Sequence, residues 1–172
     1  MESPRDQGTE DGIAKVLRWL DEESCQPQTV ADPSLRFKIK FKVEKWVVYV
    51  GQSLQAKDSI VVWLNVGLSP EEANLAYRQF KEQRQRDFLT ELRYELIYSG
   101  KVGSFMMKFD NQNRYQSIDL LSKPLFYETL TKEKLVYAYM NLLDALNLTV
   151  MLLGKHWDYY PPGYFSTRAP PR

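Results

Sequence analysis

Cysteine and histidine are almost missing: one of each in 172 residues. Cys25 alone cannot form an intramolecular disulfide, which favours a reducing compartment. One cysteine and one histidine exclude the usual zinc sets. Any Ser–His–acid or Cys–His arrangement has to be built on His156. Cys25 follows a helix in a polar stretch with no cationic neighbour to activate it. Only eight residues are glycine, and none forms a G-x-G-x-x-G or G-x-x-x-x-G-K-[ST] cradle for phosphate. No D-x-D cluster suggests magnesium. "DNQNR" lacks the central glycine and closing glutamate of a calcium loop. No metal, cofactor or catalytic residue is therefore expected, and the chain is read as not an enzyme.

Charge of one sign is also lacking. The formal net charge is +1, which gives no global field to steer nucleic acid or an acidic membrane. The opening "MESPRDQGTEDG" has no apolar run of the kind a signal peptide needs, so a cytoplasmic location is expected. Leu135 to Leu153 has the length of a membrane span. Asp144 sits near its centre, flanked by Asn141 and Asn147, and an aspartate there costs about 2.5–3.5 kcal/mol. A helix buried in protein is expected, with no membrane partner.

What is present is clear hydrophobic periodicity. Ile13, Val16, Leu17 and Leu20 share a helical face, with Thr9 or Asp11 available as cap. "LRFKIKFKV" alternates as a strand: Leu35, Phe37, Ile39, Phe41 and Val43 one way, four basic residues the other. "WVVYVGQ" and "SIVVWLNVGL" make two more strands. Ser69, Pro70 and Glu72 open a helix with a capping box. Its stripe of Ala73, Ala76, Tyr77 and Phe80 resumes at Phe88, Leu89, Leu92 and Leu96. It ends near Gly100 as one bent helix or two. Phe105, Met107 and Phe109, a "DNQN" turn, then Ile118 and Leu120 read as a hairpin. Thr131 caps a last helix ending at Gly154.

The expected fold is α+β and two-layered, an antiparallel sheet of about five strands with helices on one face, in the order α-βββ-α(α)-ββ-α. Residues 1–8 are expected to be a flexible tail, 9–154 a single domain, and 155–172 a flexible proline- and aromatic-rich tail holding His156.

Two surfaces hold candidate function. Apolar area is expected to exceed what the pattern can hide. On the last helix, Leu135, Tyr139, Leu142, Leu143, Leu146, Val150 and Leu153 face one side. Tyr137, Leu148, Met151 and Leu152 lie on the other, beside Ala138 and Ala145. Val47, Tyr49, Val61 and Trp63 lie on the strands' non-core face. Such patches mark interaction surfaces; another part of the chain, a second copy or a partner groove are the possible covers. The other surface is the basic strip Arg36, Lys38, Lys40, Lys42 and Lys45, with Trp46 nearby. It is read either as a solvated strand face or as a nucleic-acid strip. "PPGY", Pro161–Tyr164, fits the pattern bound by WW domains, and "NLT" at Asn147 is discounted as a glycosylation site because it lies within a helix.

The element order, with "FLTELRYELIYSG", a hairpin and "LTKEKLVYAYMNLLDAL", resembles a family of small uncharacterised archaeal proteins. That family in turn is similar to the type III secretion chaperone-like fold, also seen in YbjN-like proteins. The resemblance covers roughly Gly12 to Leu153. It implies a dimeric module that binds partner proteins, and it transfers no catalytic residue. The expected function is a non-enzymatic, chaperone-like or adaptor protein, a homodimer binding an unidentified protein partner. Nucleic-acid binding by the basic strip is the alternative.

Overall fold

The computed structural model describes residues 4–67, 82–109, 111 and 115–157. In chain order the elements are α1 (Pro4–Glu22), β1 (Gln28–Thr29), β2 (Leu35–Val43), β3 (Trp46–Ser53), β4 (Ser59–Gly67) and α2 (Glu82–Arg93), which runs into a π-helical turn (Tyr94–Tyr98). Then come β5 (Ser104–Phe109), β6 (Tyr115–Leu121), β7 (Leu125–Phe126), a 3-10 turn (Tyr127–Thr129) and α3 (Lys132–Trp157). The class is α+β, an open antiparallel sheet flanked by helices. The strand order is β1-β2-β3-β4-β6-β5, with β7 also on β4.

Among the described residues the sheet has seven strands rather than about five. The two unforeseen strands, β1 and β7, are two residues long, too short for alternation to show. β7 continues β6 beyond Pro124. Val62 faces Ser122 through Ser122 N–H to Val62 O, whereas Ile60 faces Leu125. The register slips by one residue across a proline that has no N–H to give the ladder.

The first helix begins at Pro4, not at Thr9 or Asp11. Proline suits a first helical turn, where an N–H has no partner anyway. The cap and capping box at Ser69, Pro70 and Glu72, the stripe from Ala73 to Phe80, most of the "DNQN" turn, and "PPGY" lie outside the described residues.

The chain divides into two compact units: Met1–Leu64 with Leu121–Met140, and Asn65–Leu120 with Asn141–Arg172. In the first unit, β2, β3 and β4 pair antiparallel, putting Ile39, Val50 and Val62 in one row and Phe41, Val48 and Leu64 in the next. All six are fully or almost fully buried. The Phe41 and Tyr139 rings meet edge to face with centroids 5.7 Å apart. Full burial of one such aromatic is worth roughly 1.5–3 kcal/mol. Lys132 at the start of α3 pairs with Glu22 at 3.1 Å and Glu23 at 2.7 Å, and Thr131 caps the helix, accepting the Lys134 N–H at 3.3 Å.

The second unit is built on Phe88, Leu92 and Leu96 of α2 and its π turn, Ile118 and Leu120 of β6, and Leu142, Leu146, Val150 and Leu153 of α3, all buried. Thr149, also buried, donates its hydroxyl to Ala145 O at 2.7 Å, so it carries no orphaned polar group. The expected inward side of α3 is the buried side, with Leu143 half-buried. α3 is long and apolar enough to cross a membrane by length and composition, yet more than half of that stretch is buried within the chain.

Candidate functional site on the outer sheet face

The site starts from strand register. Lys40 lies opposite Tyr49, and Tyr49 opposite Trp63. In the neighbouring rows Lys42 faces Val47, and Lys38 faces Gly51, which faces Val61. Residues directly opposite each other project to the same side of a sheet. Lys38, Lys40 and Lys42 of the basic strip and the Val47, Tyr49, Val61, Trp63 patch, read from the sequence as two separate surfaces, are therefore one face; Arg36 lies at a bulge in β2 and Lys45 in the turn between β2 and β3. Val47, Tyr49, Val61, Trp63, Lys38 and Lys40 are half-buried there, and Arg36, Lys42 and Lys45 are exposed.

At its centre the Tyr49 and Trp63 rings stack, with centroids 5.6 Å apart and planes 17° from parallel. The Lys38 ammonium lies 4.9 Å from the Tyr49 centroid and 5.7 Å from that of Trp63, within range of cation–π attraction. Asp32 holds it there, with Oδ2 3.1 Å from Lys38 Nζ. Its other oxygen accepts the Ser34 hydroxyl at 2.6 Å and the Ser34 N–H at 3.1 Å. The Ser34 hydroxyl, then the Lys38 ammonium, keep the Asp32 carboxyl below the usual carboxylate range. Lys45 covers the Trp46 ring at 5.1 Å.

Gly51 makes the stack possible. A Cβ there would lie 2.7 Å from Phe37 O and 3.0 Å from the Trp63 ring. Only a residue without a side chain lets the indole lie down on the strand. Sequence reading missed this glycine, whose one signal was its place inside a strand. On the opposite, core side of the same strand Gln52 is fully buried. Neither its Nε2 nor its Oε1 has a hydrogen-bond partner among the described residues, and neither has the hydroxyl of Tyr127. Burial pushes the Tyr127 hydroxyl up to about 12, against the opposing pull of Arg36.

The candidate surface on α3 is smaller than the sequence implied. Tyr137 and Met151 are 69% and 62% exposed, but Leu152 is 4% exposed and covered by its own chain. Ala138 and Ala145 are buried too, and Leu148 is half-buried. The helix packs over a wider arc than a single-sided wheel allows.

His156 is not in a loose tail. α3 passes through Gly154 to Trp157 because its last turn is anchored. His156 Nε2 lies 2.6 Å from Glu91 Oε2, and Lys155 Nζ lies 2.6 and 2.9 Å from the two Glu91 oxygens. The imidazole stands edge-on to Phe88 at 5.9 Å. Lys155 first, then His156, hold the Glu91 carboxyl below its ordinary range. Stability from this pairing is fully present above the ordinary glutamate range and is lost as pH falls from there through the lowered folded value. Glu91→Gln should cost up to about 1 kcal/mol at pH 7, as exposed pairs do. In urea titrations the gap between variant and native protein should narrow as pH falls through the lowered Glu91 value.

Cys25 is buried, and desolvation raises its thiol above the ordinary value, opposed by the Tyr139 hydroxyl. A thiol kept protonated in this way is a packing group. Among the described residues no three of His, Cys, Asp and Glu come together as a metal-binding group.

No curated protein matches the chain. Among solved structures, the crystal structure of an uncharacterized protein from Methanothermobacter thermautotrophicus is similar, with a TM-score of 0.68 and 24% identity over 82% of this chain and 96% of that one. At that identity the likeness concerns the fold. Residues 13–153 match the family described as "Uncharacterized conserved protein (DUF2299)". That match takes in α2, β5 to β7, nearly all of α3 and the whole outer sheet face, and with it the chain belongs to this family.

Proposed function

We propose that the chain is a non-enzymatic protein-interaction module of chaperone-like or adaptor type, working as a homodimer in the cytoplasm. Its outer sheet face takes an acidic segment carrying apolar side chains from a partner protein. The observation behind this is the shared face: Lys38, Lys40 and Lys42 border a half-exposed Tyr49–Trp63 stack. Such a surface rewards carboxylates at the rim and apolar groups at the centre. The reading treats the fold as kin to the type III secretion chaperones, whose dimeric, partner-binding habit the resemblance implies.

A second reading, single-stranded nucleic acid, is favoured by one observation, the ammonium of Lys38 over two aromatic rings. Two others weigh against it. The rings spend a face on each other, and Lys38 is already paired with Asp32.

One experiment separates the two. Labelled peptides rich in Glu, Asp, Phe and Leu, and labelled single-stranded oligonucleotides, are titrated with native protein and with the Lys38→Glu, Lys40→Glu, Lys42→Glu variant. Saturable peptide binding that the variant loses by about tenfold or more, roughly 1.4 kcal/mol, is expected. Binding of oligonucleotides alone, weakening steeply with salt, transfers the function to the second reading. Binding of neither removes the site.

A further inference from the structure

We propose that β5 joins the same strand of a second copy, so that the sheet continues across a two-fold axis. This deepens the homodimer reading above by giving the dimer a seam, and it leaves the basic face to the partner. β5 ends the strand order. Half of its backbone N–H and C=O groups point away from β6 with no strand beside them among the described residues, a template for another chain.

Natural edges are blunted by shortness, proline, bulges or charge. The edge at the other end of the order is protected in this way: β1 has two residues and lies between Pro27 and Pro33. β5 has six residues without proline or glycine, "SFMMKF". Met106 is 51% and Phe109 46% exposed. Its one charge, Lys108, is neutralised by the buried Asp119 carboxylate at 2.6 Å.

Charge and symmetry identify the occupant as a second copy. Self-association on the basic strip would set lysine against lysine. β5 carries no unbalanced charge, so two copies approach it without repulsion. A two-fold axis perpendicular to the sheet makes the strands antiparallel and keeps like faces together. With Met106 on the axis it meets its own counterpart, and Phe105 meets Met107. With Met107 on the axis Phe105 meets Phe109. In both registers Phe105 meets an apolar residue and no like charges oppose each other; the first sets Lys108 opposite Ser104, the second sets it opposite Met106.

The test uses the full chain. Light scattering at micromolar concentration should give a dimer. Met106→Cys or Met107→Cys should form a disulfide-linked dimer under mild oxidation, whereas Leu54→Cys, also exposed, should not. The double change Met106→Lys, Phe109→Lys alters two exposed positions, so folding should survive, as circular dichroism will check, and the dimer should weaken at least about tenfold. A strictly monomeric native protein overturns both the seam and the homodimer. A dimer that withstands the double change and cross-links at neither position, or equally at Leu54→Cys, overturns the seam alone and leaves the homodimer reading in place.

Discussion

Gly51→Ala should destabilise the protein by about 2–3 kcal/mol, the upper part of the range for overpacking. The added methyl would meet the Phe37 carbonyl oxygen at 2.7 Å and the Trp63 ring at 3.0 Å. The indole can swing aside; the carbonyl is more constrained, because Phe37 and Ile39 pair with Gln52 and Val50 on either side of Gly51, with a bulge only before Phe37. Relief therefore comes from separating β2 and β3 or from lifting Trp63 off Tyr49, and both damage the candidate face. Near-ultraviolet circular dichroism should lose the signal of the stacked pair, and the urea midpoint should fall. Gly67→Ala is the control: its Cβ would meet nothing closer than 3.7 Å, so its effect should stay within about half a kcal/mol. Equal effects at both positions would show that strand propensity, not the indole, sets the need for glycine at position 51.

Gln52→Leu, one residue along, should do the opposite. An amide that is fully buried with neither polar atom partnered costs about 1–3 kcal/mol relative to a well-packed apolar group. Leucine has a similar volume and would sit among Ile39, Val50, Ile60 and Val62, buried residues on that side of the strands. A gain of that size moves the urea midpoint up by roughly one molar for a small protein. A loss instead of a gain would mean that the amide has a partner in solution, of which a buried water is the simplest. Neighbouring residues on opposite faces of one strand thus carry opposite expectations, set by which side each one faces.

The sequence disclosed what repeats and hid what depends on register. Alternation over nine residues located β2 at Leu35–Val43, its observed bounds, because a half-buried strand must alternate. The apolar stripe of α3 was legible for the same reason: Leu135, Tyr139, Leu142, Leu146, Val150 and Leu153 are all buried. Pairing partners are not local. That Lys40 would lie beside Tyr49, and Tyr49 beside Trp63, depends on a tight turn whose first residue, Glu44, takes φ 54° where glycine is usual. No residue there announces the turn. Glu91 had no reason to stand out either; its meaning comes from Lys155 and His156, more than sixty positions away. Leu152 misled because a helical wheel shows angles and not neighbours.

The slip at Pro124 carries a last implication, for tolerance of length change. Where β6 gives way to β7, one residue already lies out of step with β4. A strand in perfect step would have every later side chain inverted by a one-residue insertion or deletion. Here the chain owns a slack point, so gain or loss of a residue between Ser122 and Leu125 can be absorbed locally. Relatives that differ in size by a single position should carry that difference at this kink.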